Sequence, residues 1–368
     1  MNVLRSLSLL LILAISTATS SFAFETDQYN LPPVPLGDIG AEVSGYFEEN
    51  LIAAIVEVNN EIDRLNQCIG SDKKREKVCP SANEAQRRLN EALGDDAVGR
   101  ALFKRIGDGS LFITKTGKWF RSHKFAVSPA SYKVPYAESI YFFKPSNHLT
   151  LSPTIRMFDI EFGTDKIEHL LQQGWKYFEI RRAELDKGKT AADADKKAVD
   201  WGKRSERTYY GLMSSGVYSS ADLVANYVGM RFYEGMTKPL RIDGSIRPAI
   251  LEIYAGHWRI APNVDLPSTL LKPFISEHLN EAFNPSGYAF FVYPTVKRVV
   301  RTRACPKWRS FIQQTTKADL EQRSVRLEKW NGEDYGFATK GRRVTIGDSC
   351  FDRLELPFPC QYDNSTPF

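Results

Sequence analysis

The chain has 368 residues, of which 42% are hydrophobic, and it carries a formal net charge of +5. This length and apolar content suffice for one large domain, or two ordinary ones, with a hydrophobic core. The charge is mild, and the basic runs at 73–75 and 298–303 lack interleaved aromatic residues, so we do not expect the protein to bind nucleic acid.

The first residues have the organisation of a cleavable signal peptide. Arg5 precedes an apolar run at 7–14, and small residues follow it. Ser21-Phe22-Ala23 fits the small-x-small rule of signal peptidase, so cleavage is predicted after Ala23. The apolar run is shorter than the ~20 residues of a membrane-spanning helix, which makes a retained anchor the weaker alternative. We therefore predict a signal peptide over 1–23 and a soluble, periplasmic or secreted mature protein without a transmembrane span.

The mature chain would carry five cysteines, and an oxidising compartment favours their pairing. They are Cys68, Cys79, Cys305, Cys350 and Cys360. Cys68 and Cys79 are close in sequence and are predicted to form one disulfide. Among the other three, proximity favours Cys350 with Cys360, although sequence alone does not decide pairing. Zinc binding is less favoured, because no C-x-x-C spacing or nearby histidine pair is present.

Helical and strand-like patterns alternate along the chain. In the region 24–108, apolar residues at three- and four-residue steps predict a long helix over 38–67 and shorter ones over 82–93 and 95–106. In the region 109–160, aromatic and β-branched residues predict a hairpin over 111–127, and 132–143 is expected to continue that sheet.

The second half of the chain reads as a helical core followed by a mixed region. The core, 161–285, has three predicted helices between 164 and 238, a strand over 249–254 and a helix over 268–283. The C-terminal region, 286–368, is turn-rich, bears cysteines and starts with a strand-like run over 288–300. The fold class predicted from these patterns is mainly α with a minor β portion (α+β).

Polar residues with catalytic potential occupy one side of the first core helix. Asp165 and His169 are four residues apart, so they are neighbours on the helix surface and close enough to share a hydrogen bond or a ligand. Lys166 lies between them. The structural alternative is that Asp165 only caps the helix, with Glu168 three residues further along completing the cap.

A second polar stripe lies on the third core helix, where Asp222, Asn226 and Gly229 follow one another at helical spacing. The rest of that helix is nearly all apolar, which predicts burial, and a buried Asp222 requires a partner such as Lys166 or His169. Gly229 would allow another helix to approach closely. The alternatives are that Ser219 and Asp222 form only a capping box, and that Asn226 is a satisfied core amide.

The order D-K-x-x-H followed by D-L-x-A-N-x-x-G resembles the pattern of VanZ-like membrane proteins and of the short YfiM-type envelope lipoproteins. Asp165, Lys166 and His169 match the first element, and Asp222, Asn226 and Gly229 match the last; the match covers about residues 162–236. Glu206 is a candidate for the acidic residue between them. The chain departs from VanZ-like proteins because its helices are too charged to span lipid. The resemblance implies a helical core with a polar cluster and a link to bacterial envelopes.

Three functions remain open at this stage. The first is an envelope hydrolase with an acid/base site formed by Asp165, Lys166, His169, Asp222 and Asn226. A second form of this hypothesis has Asp165, His169 and Asp222 bind a divalent metal such as Zn or Mn. The second is a non-catalytic envelope protein, with the cluster as a packing network and an envelope component or another envelope protein as partner. The third is a secreted effector. His257 and His278 also lie beside polar neighbours and are further candidates.

Overall fold

The computed structural model describes residues 25–70, 79–110, 113–142, 145, 150–311, 316–337 and 342–351. The predicted signal peptide and Cys360 lie outside these residues. The described chain is mainly helical with small antiparallel sheets, which confirms the predicted fold class. The division of the chain at 108, 160 and 285 stays a prediction.

The first three helices follow the predicted periodicity. They are α1 (Gly40–Gly70), α2 (Ala82–Ala92) and α3 (Ala97–Leu102), which a π-helical turn (Phe103–Gly107) extends. Helix α4 (Lys115–Ser122) comes next, where the sequence predicts a hairpin instead. Val43, Phe47 and Leu51 lie on one face of α1 and are fully buried in the main hydrophobic core. Helix α1 therefore forms because its apolar residues recur at helical spacing and lose their contact with water together.

Three helices form the centre of the molecule, and they confirm the predicted pieces between 164 and 238. They are α5 (Thr164–Asp186), α6 (Ala191–Arg207) and α7 (Ser220–Glu234). Helix α7 is buried on nearly all sides, as its sequence predicts. Gly229 on α7 lies against Gly174 and the Leu170 carbonyl oxygen on α5. Because neither glycine has a side chain, the two helices approach closely enough to bring their polar residues together.

Short helices complete the C-terminal part: α8 (Leu266–Thr269), α9 (Tyr293–Val299), α10 (Cys305–Phe311), α11 (Lys317–Arg326) and α12 (Ile346–Cys350). Three-residue 3₁₀ turns lie at Lys272–Phe274 and Glu277–Leu279, and a π-helical turn (Val300–Ala304) joins α9 to α10.

Small antiparallel sheets link these helices. The strands are β1 (Gly109–Ser110), β2 (Ile113–Thr114), β3 (Ser131–Tyr132), β4 (Thr154–Met157), β5 (Ile160–Gly163), β6 (Val217–Tyr218), β7 (Leu240–Ile242), β8 (Ser245–Arg247), β9 (Leu251–Tyr254), β10 (His257–Ile260), β11 (Gly287–Tyr288) and β12 (Arg342–Arg343). Two sheets have three strands, in the orders β3-β4-β5 and β12-β11-β6; the others are the pairs β1-β2, β7-β8 and β9-β10. Strand β5 leads directly into α5 and thereby fixes where the first polar stripe begins.

The segment 25–30 runs through the interior rather than along the surface. All six of its residues are buried. Thr26 forms a parallel bridge with Ser152, the Tyr29 hydroxyl donates to the Val344 carbonyl oxygen, and the Trp308 indole donates to the Tyr29 carbonyl oxygen. This segment therefore connects the main core to a second, C-terminal core that contains Tyr29 and Trp308.

One of the two predicted disulfides is confirmed and the other is wrong. Cys68 pairs with Cys79 as predicted. Cys350 pairs with Cys305, not with Cys360. Proximity in sequence misled the prediction, because α10 and α12 pack together in the C-terminal core and bring Cys305 and Cys350 within 5.0 Å between their Cα atoms.

Three local predictions also differ from the structure. The hairpin expected over 111–127 is limited to β1 and β2, and α4 follows it. The helix expected over 268–283 is broken into 3₁₀ turns, one of which contains Pro273. The strand-like run over 288–300 begins in strand β11 at Tyr288, but most of it forms α9. Its β-branched residues Val296 and Val299 are buried in the C-terminal core, and Pro294 starts a helix well.

Candidate functional site

The ammonium group of Lys166 lies at the centre of a buried cluster of carboxylates. Its Nζ donates to Asp165 Oδ2 at 2.6 Å, to Asp222 Oδ1 at 2.5 Å and to Glu281 Oε1 at 2.5 Å. The Lys166 side chain is 0% exposed, and those three carboxylates are at most 3% exposed. We call these four residues the Lys166 cluster. It joins α5, α7 and the segment after the second 3₁₀ turn.

Mutual attraction offsets the cost of burying these charges. Burial by itself would lower the pKa of Lys166, but the charges of Asp165, Asp222 and Glu281 raise it well above its ordinary value. Burial would raise the pKa of Asp222, but His169 and Lys166 outweigh that effect and lower it. Lys166 is therefore a fixed cation at neutral pH and cannot act as a free amine base or nucleophile.

Acidic groups outnumber the ammonium group around the cluster. Burial raises the pKa of Glu281 to about 8, with Lys166 opposing and Asp222 adding to the effect. Burial and the neighbouring acids Asp222 and Glu281 raise the pKa of Glu25 well above its ordinary value, and Glu206 is shifted in the same direction by burial and Asp222. Buried carboxyl groups without enough counter-charge retain protons, so part of this cluster is neutral at neutral pH.

His169 lies at the edge of the cluster. Its side chain is 15% exposed, its Nδ1 lies 3.0 Å from Asn226 Oδ1, and its Nε2 lies 3.5 Å from Asp222 Oδ2. The structure thus brings together all five residues proposed as an acid/base site: Asp165, Lys166, His169, Asp222 and Asn226. An imidazole oriented by an amide and a carboxylate can accept or donate a proton, provided that a substrate reaches it.

The capping alternatives account for only part of the geometry. Ser219 does cap α7, since its Oγ accepts from the Asp222 backbone N–H at 3.0 Å. The Asp222 carboxylate binds Lys166 instead of completing a capping box. The Ser219 backbone N–H donates to Glu206 Oε2 at 3.3 Å, which brings the candidate middle acid of the motif beside the cluster.

Asp165 also binds two partners through its carboxylate, and it does not cap α5. Gly163 is the N-cap residue of that helix. Asp165 Oδ1 accepts from the Thr26 hydroxyl at 2.6 Å, while Oδ2 accepts from Lys166. Glu168, the residue expected to complete such a cap, accepts from Thr114 instead.

The geometry identifies a different set of candidate metal ligands from the predicted one. Among the described residues, one oxygen each from Asp165, Asp222 and Glu281 lie within 4.8 Å of one another, and His169 is not part of this group. The Lys166 ammonium contacts all three carboxylates. It therefore already supplies the positive charge that a divalent metal would bring to this position.

Three further residues of the site, Glu25, Thr26 and Glu281, belong to no motif that sequence reasoning identifies. Glu25 and Thr26 follow the predicted cleavage site, and Glu281 lies 115 residues from its partner Lys166. Only the requirement that a buried Lys166 be neutralised points to further acids. His257 and His278 do not join the site: His257 pairs with Asp63 at 2.8 Å, and His278 contacts the Ser276 hydroxyl and the Lys329 carbonyl oxygen.

No known protein-family model, curated protein or solved structure matches this chain. The resemblance to VanZ-like and YfiM-type proteins therefore rests on the motif residues and stays a prediction. Within the part of the chain that the structure describes, no helix is both long and apolar enough to cross a bilayer.

Proposed function

We propose that this chain is an exported, non-catalytic protein of a bacterial cell envelope, in which the Lys166 cluster is a structural anchor. The observation that carries the proposal is the environment of Lys166, whose ammonium is 0% exposed and binds carboxylates from three separate segments at 2.5–2.6 Å. An ion cluster of this kind fixes the register of α5 on α7 and of both on the chain near Glu281.

The position of the cluster also supports a structural role. Catalytic acids and bases must come within hydrogen-bond reach of their substrate. The cavities of ≈ 730 and ≈ 530 Å³ in the described part of the protein are lined by other residues, with none of the Lys166 cluster among them. Function would then lie on an exposed surface rather than at the motif residues.

Export is supported by the covalent structure. Two disulfides, Cys68–Cys79 and Cys305–Cys350, fit an oxidising compartment. The predicted signal peptide supplies the route, and the motif resemblance supplies the link to an envelope. Periplasmic and secreted destinations are both consistent with these features, and the effector alternative shares them.

A second candidate function rests on His169, which is partly exposed and faces Asp222 and Asn226. This arrangement favours an acid/base enzyme if substrate approaches along α5. The two functions differ in what His169 does: an anchor tolerates the loss of an edge imidazole, whereas an acid/base site does not.

Paired substitutions separate these functions. Lys166→Met strands buried carboxylates, so we expect it to lower the free energy of unfolding by about 3–5 kcal/mol. Lys118→Met, on the exposed side of α4, is the matched control and should have little effect. In a host strain in which deletion of the gene causes an envelope defect, His169→Gln and the partly exposed control His257→Gln should both correct that defect. A folded His169→Gln protein that fails where His257→Gln succeeds contradicts the anchor proposal and supports acid/base chemistry.

A further inference from the structure

A cavity of ≈ 530 Å³ lies between α4, the loop that follows it, strand β4 and the first turns of α5. Its volume is within the range of small-molecule sites. Thr164 lines this cavity, whereas the next residue, Asp165, binds Lys166. The cavity is therefore adjacent to the Lys166 cluster along the chain, but the two share no residue.

Two positive charges line the cavity. Arg121 comes from the last turn of α4, and Lys133 follows β3. Desolvation and then the charge of Arg121 lower the pKa of Lys133, which places the two cations within electrostatic reach of each other. Lys133 has no ion pair with a carboxylate among the described residues. Two neighbouring cations that line a concave surface favour the binding of an anion.

A single acidic residue, Glu168, is found among the described residues that line the cavity. It is 9% exposed, and its Oε2 accepts from the backbone N–H and the hydroxyl of Thr114, at 3.1 and 2.8 Å. Burial raises its pKa, which the hydrogen bonds from Thr114 and the charge of Arg121 oppose. With two cations against this one acid, the lining of the cavity is net positive whichever protonation state Glu168 has.

The remaining wall of the cavity combines apolar side chains with serine and threonine residues. Phe120 and Phe125 contribute aromatic rings whose centroids are 6.2 Å apart, and Leu151, Pro153 and Ile155 contribute aliphatic groups. Apolar walls with a few convergent polar groups are typical of sites that bind small organic ligands. This composition suits a ligand with an apolar body and an anionic head group.

We propose that this cavity binds a small amphipathic anion, with its head group at Lys133 and Arg121 and its apolar body against Phe120 and Phe125. The inference deepens the proposed function, because it rests on a non-catalytic role and assigns the ligand-binding surface to a place away from the Lys166 cluster. The shared chemistry is an anionic head on an apolar chain, and a fatty carboxylate and an alkyl phosphate both supply it.

The test is isothermal titration calorimetry of the full mature chain with decanoate, decyl phosphate, decanol, acetate and inorganic phosphate. The two charged amphiphiles are kept below their micelle concentrations. We expect saturable binding of decanoate or decyl phosphate at one site, and much weaker binding of the other three probes. The stronger of the two amphiphiles distinguishes a carboxylate from a phosphate head group. Lys133→Gln should weaken that binding by about tenfold or more, which corresponds to ~1.4 kcal/mol.

Lys118→Gln is the matched control, because Lys118 is an exposed lysine of α4 that does not line the cavity. Its affinity should equal that of the unsubstituted protein. The proposal is overturned if neither amphiphile binds, if decanol binds as tightly as decanoate, or if Lys133→Gln leaves the affinity unchanged. The unfolding behaviour of Lys166→Met does not depend on these titrations, so failure of the cavity proposal is distinguishable from failure of the anchor proposal.

Discussion

Gly229 of α7 lies so close to α5 that a Cβ atom added to it would fall 2.0 Å from the Leu170 carbonyl oxygen and 2.8 Å from the Gly174 Cα atom. This contact sets the distance between the two helices that carry the polar stripes. Since Lys166 on α5 reaches Asp222 on α7 at 2.5 Å, the glycine contact and the ion cluster depend on the same helix spacing.

Gly229→Ala is expected to destabilise the protein and to loosen the cluster. The added methyl group meets backbone atoms, which cannot move aside like a flexible side chain, so the cost should be about 1–3 kcal/mol or more. Gly45→Ala in α1 is the matched control: nothing lies within 4 Å of its added Cβ, and the better helix propensity of alanine should stabilise the protein by about 0.5–1 kcal/mol. Urea unfolding of both variants checks this, and equal effects would contradict the close-packing argument.

The helices and their polar residues could be predicted because they depend on local spacing. The steps of Val43, Phe47 and Leu51 in α1 and the apolar surface of α7 are periodic signals, and the structure confirms both helices. The partner required by a buried Asp222 could also be inferred, since an isolated buried charge is costly.

The features that could not be predicted depend on contacts between distant parts of the chain. Glu281 lies 115 residues from Lys166 and belongs to no motif, and Thr26 lies 139 residues from Asp165. Cys305 pairs with Cys350 because of how the C-terminal helices pack, which spacing does not reveal. Tertiary burial likewise overrides the β propensity of Val296 and Val299 in α9.

The disulfides differ in the length of chain that they close. The Cys305–Cys350 bond spans 45 residues and the Cys68–Cys79 bond spans 11. Loop-closure entropy predicts stabilisation of about 4 kcal/mol for the longer loop and about 3 kcal/mol for the shorter one. We expect the paired serine substitution at 305 and 350 to lower the unfolding free energy more than the pair at 68 and 79.

Peptide mapping under non-reducing conditions gives a separate check of the pairing. Because five cysteines and two disulfides leave one cysteine over, we expect Cys360→Ser to keep the 305–350 linkage intact and to abolish the signal in a free-thiol assay. A 350–360 linkage in the unsubstituted protein would instead restore the pairing inferred from sequence proximity.

The raised pKa of Glu281 predicts that the protein loses stability as the pH rises. Its pKa is about 8 in the folded protein, chiefly because of burial, against about 4.3 for a glutamate in an unfolded chain. The folded state therefore keeps a proton that the unfolded state releases. This contribution to stability is complete below about pH 4.3 and is lost as the pH rises to about 8.

Urea titrations between about pH 4 and 8.5 measure this slope, since they cover the window between the two pKa values. Glu281→Gln should flatten the fall in unfolding free energy without abolishing it, because the raised pKa of Glu206 acts in the same direction. The exposed control Glu321→Gln should keep the slope of the unsubstituted protein. An unchanged slope in Glu281→Gln would show that this carboxyl group is already ionised in the fold.

Glu25 connects the predicted cleavage site with the interior. Its side chain is 1% exposed, and neither carboxylate oxygen has a hydrogen-bond partner among the described residues. Cleavage after Ala23 would make Phe24 the first residue and would create an α-ammonium group one residue before this carboxylate. An α-ammonium has a pKa of about 7.7–8.0 and is therefore charged at neutral pH, so we predict that it pairs with the Glu25 carboxylate.

We expect the chain that begins at Phe24 to be more stable than one with a Gly-Ser extension before it, by about 1.5–3 kcal/mol, the typical contribution of a hydrogen bond to a charged group. In the Glu25→Gln background the same extension should cost much less, because the carboxylate partner is gone; this double-mutant cycle isolates the pairing from other effects of the extension. N-terminal sequencing of the exported protein checks the cleavage position itself. Equal stability of the extended and unextended chains, with Glu25 present, would mean that the buried carboxyl group is accommodated by protonation and not by the new terminus.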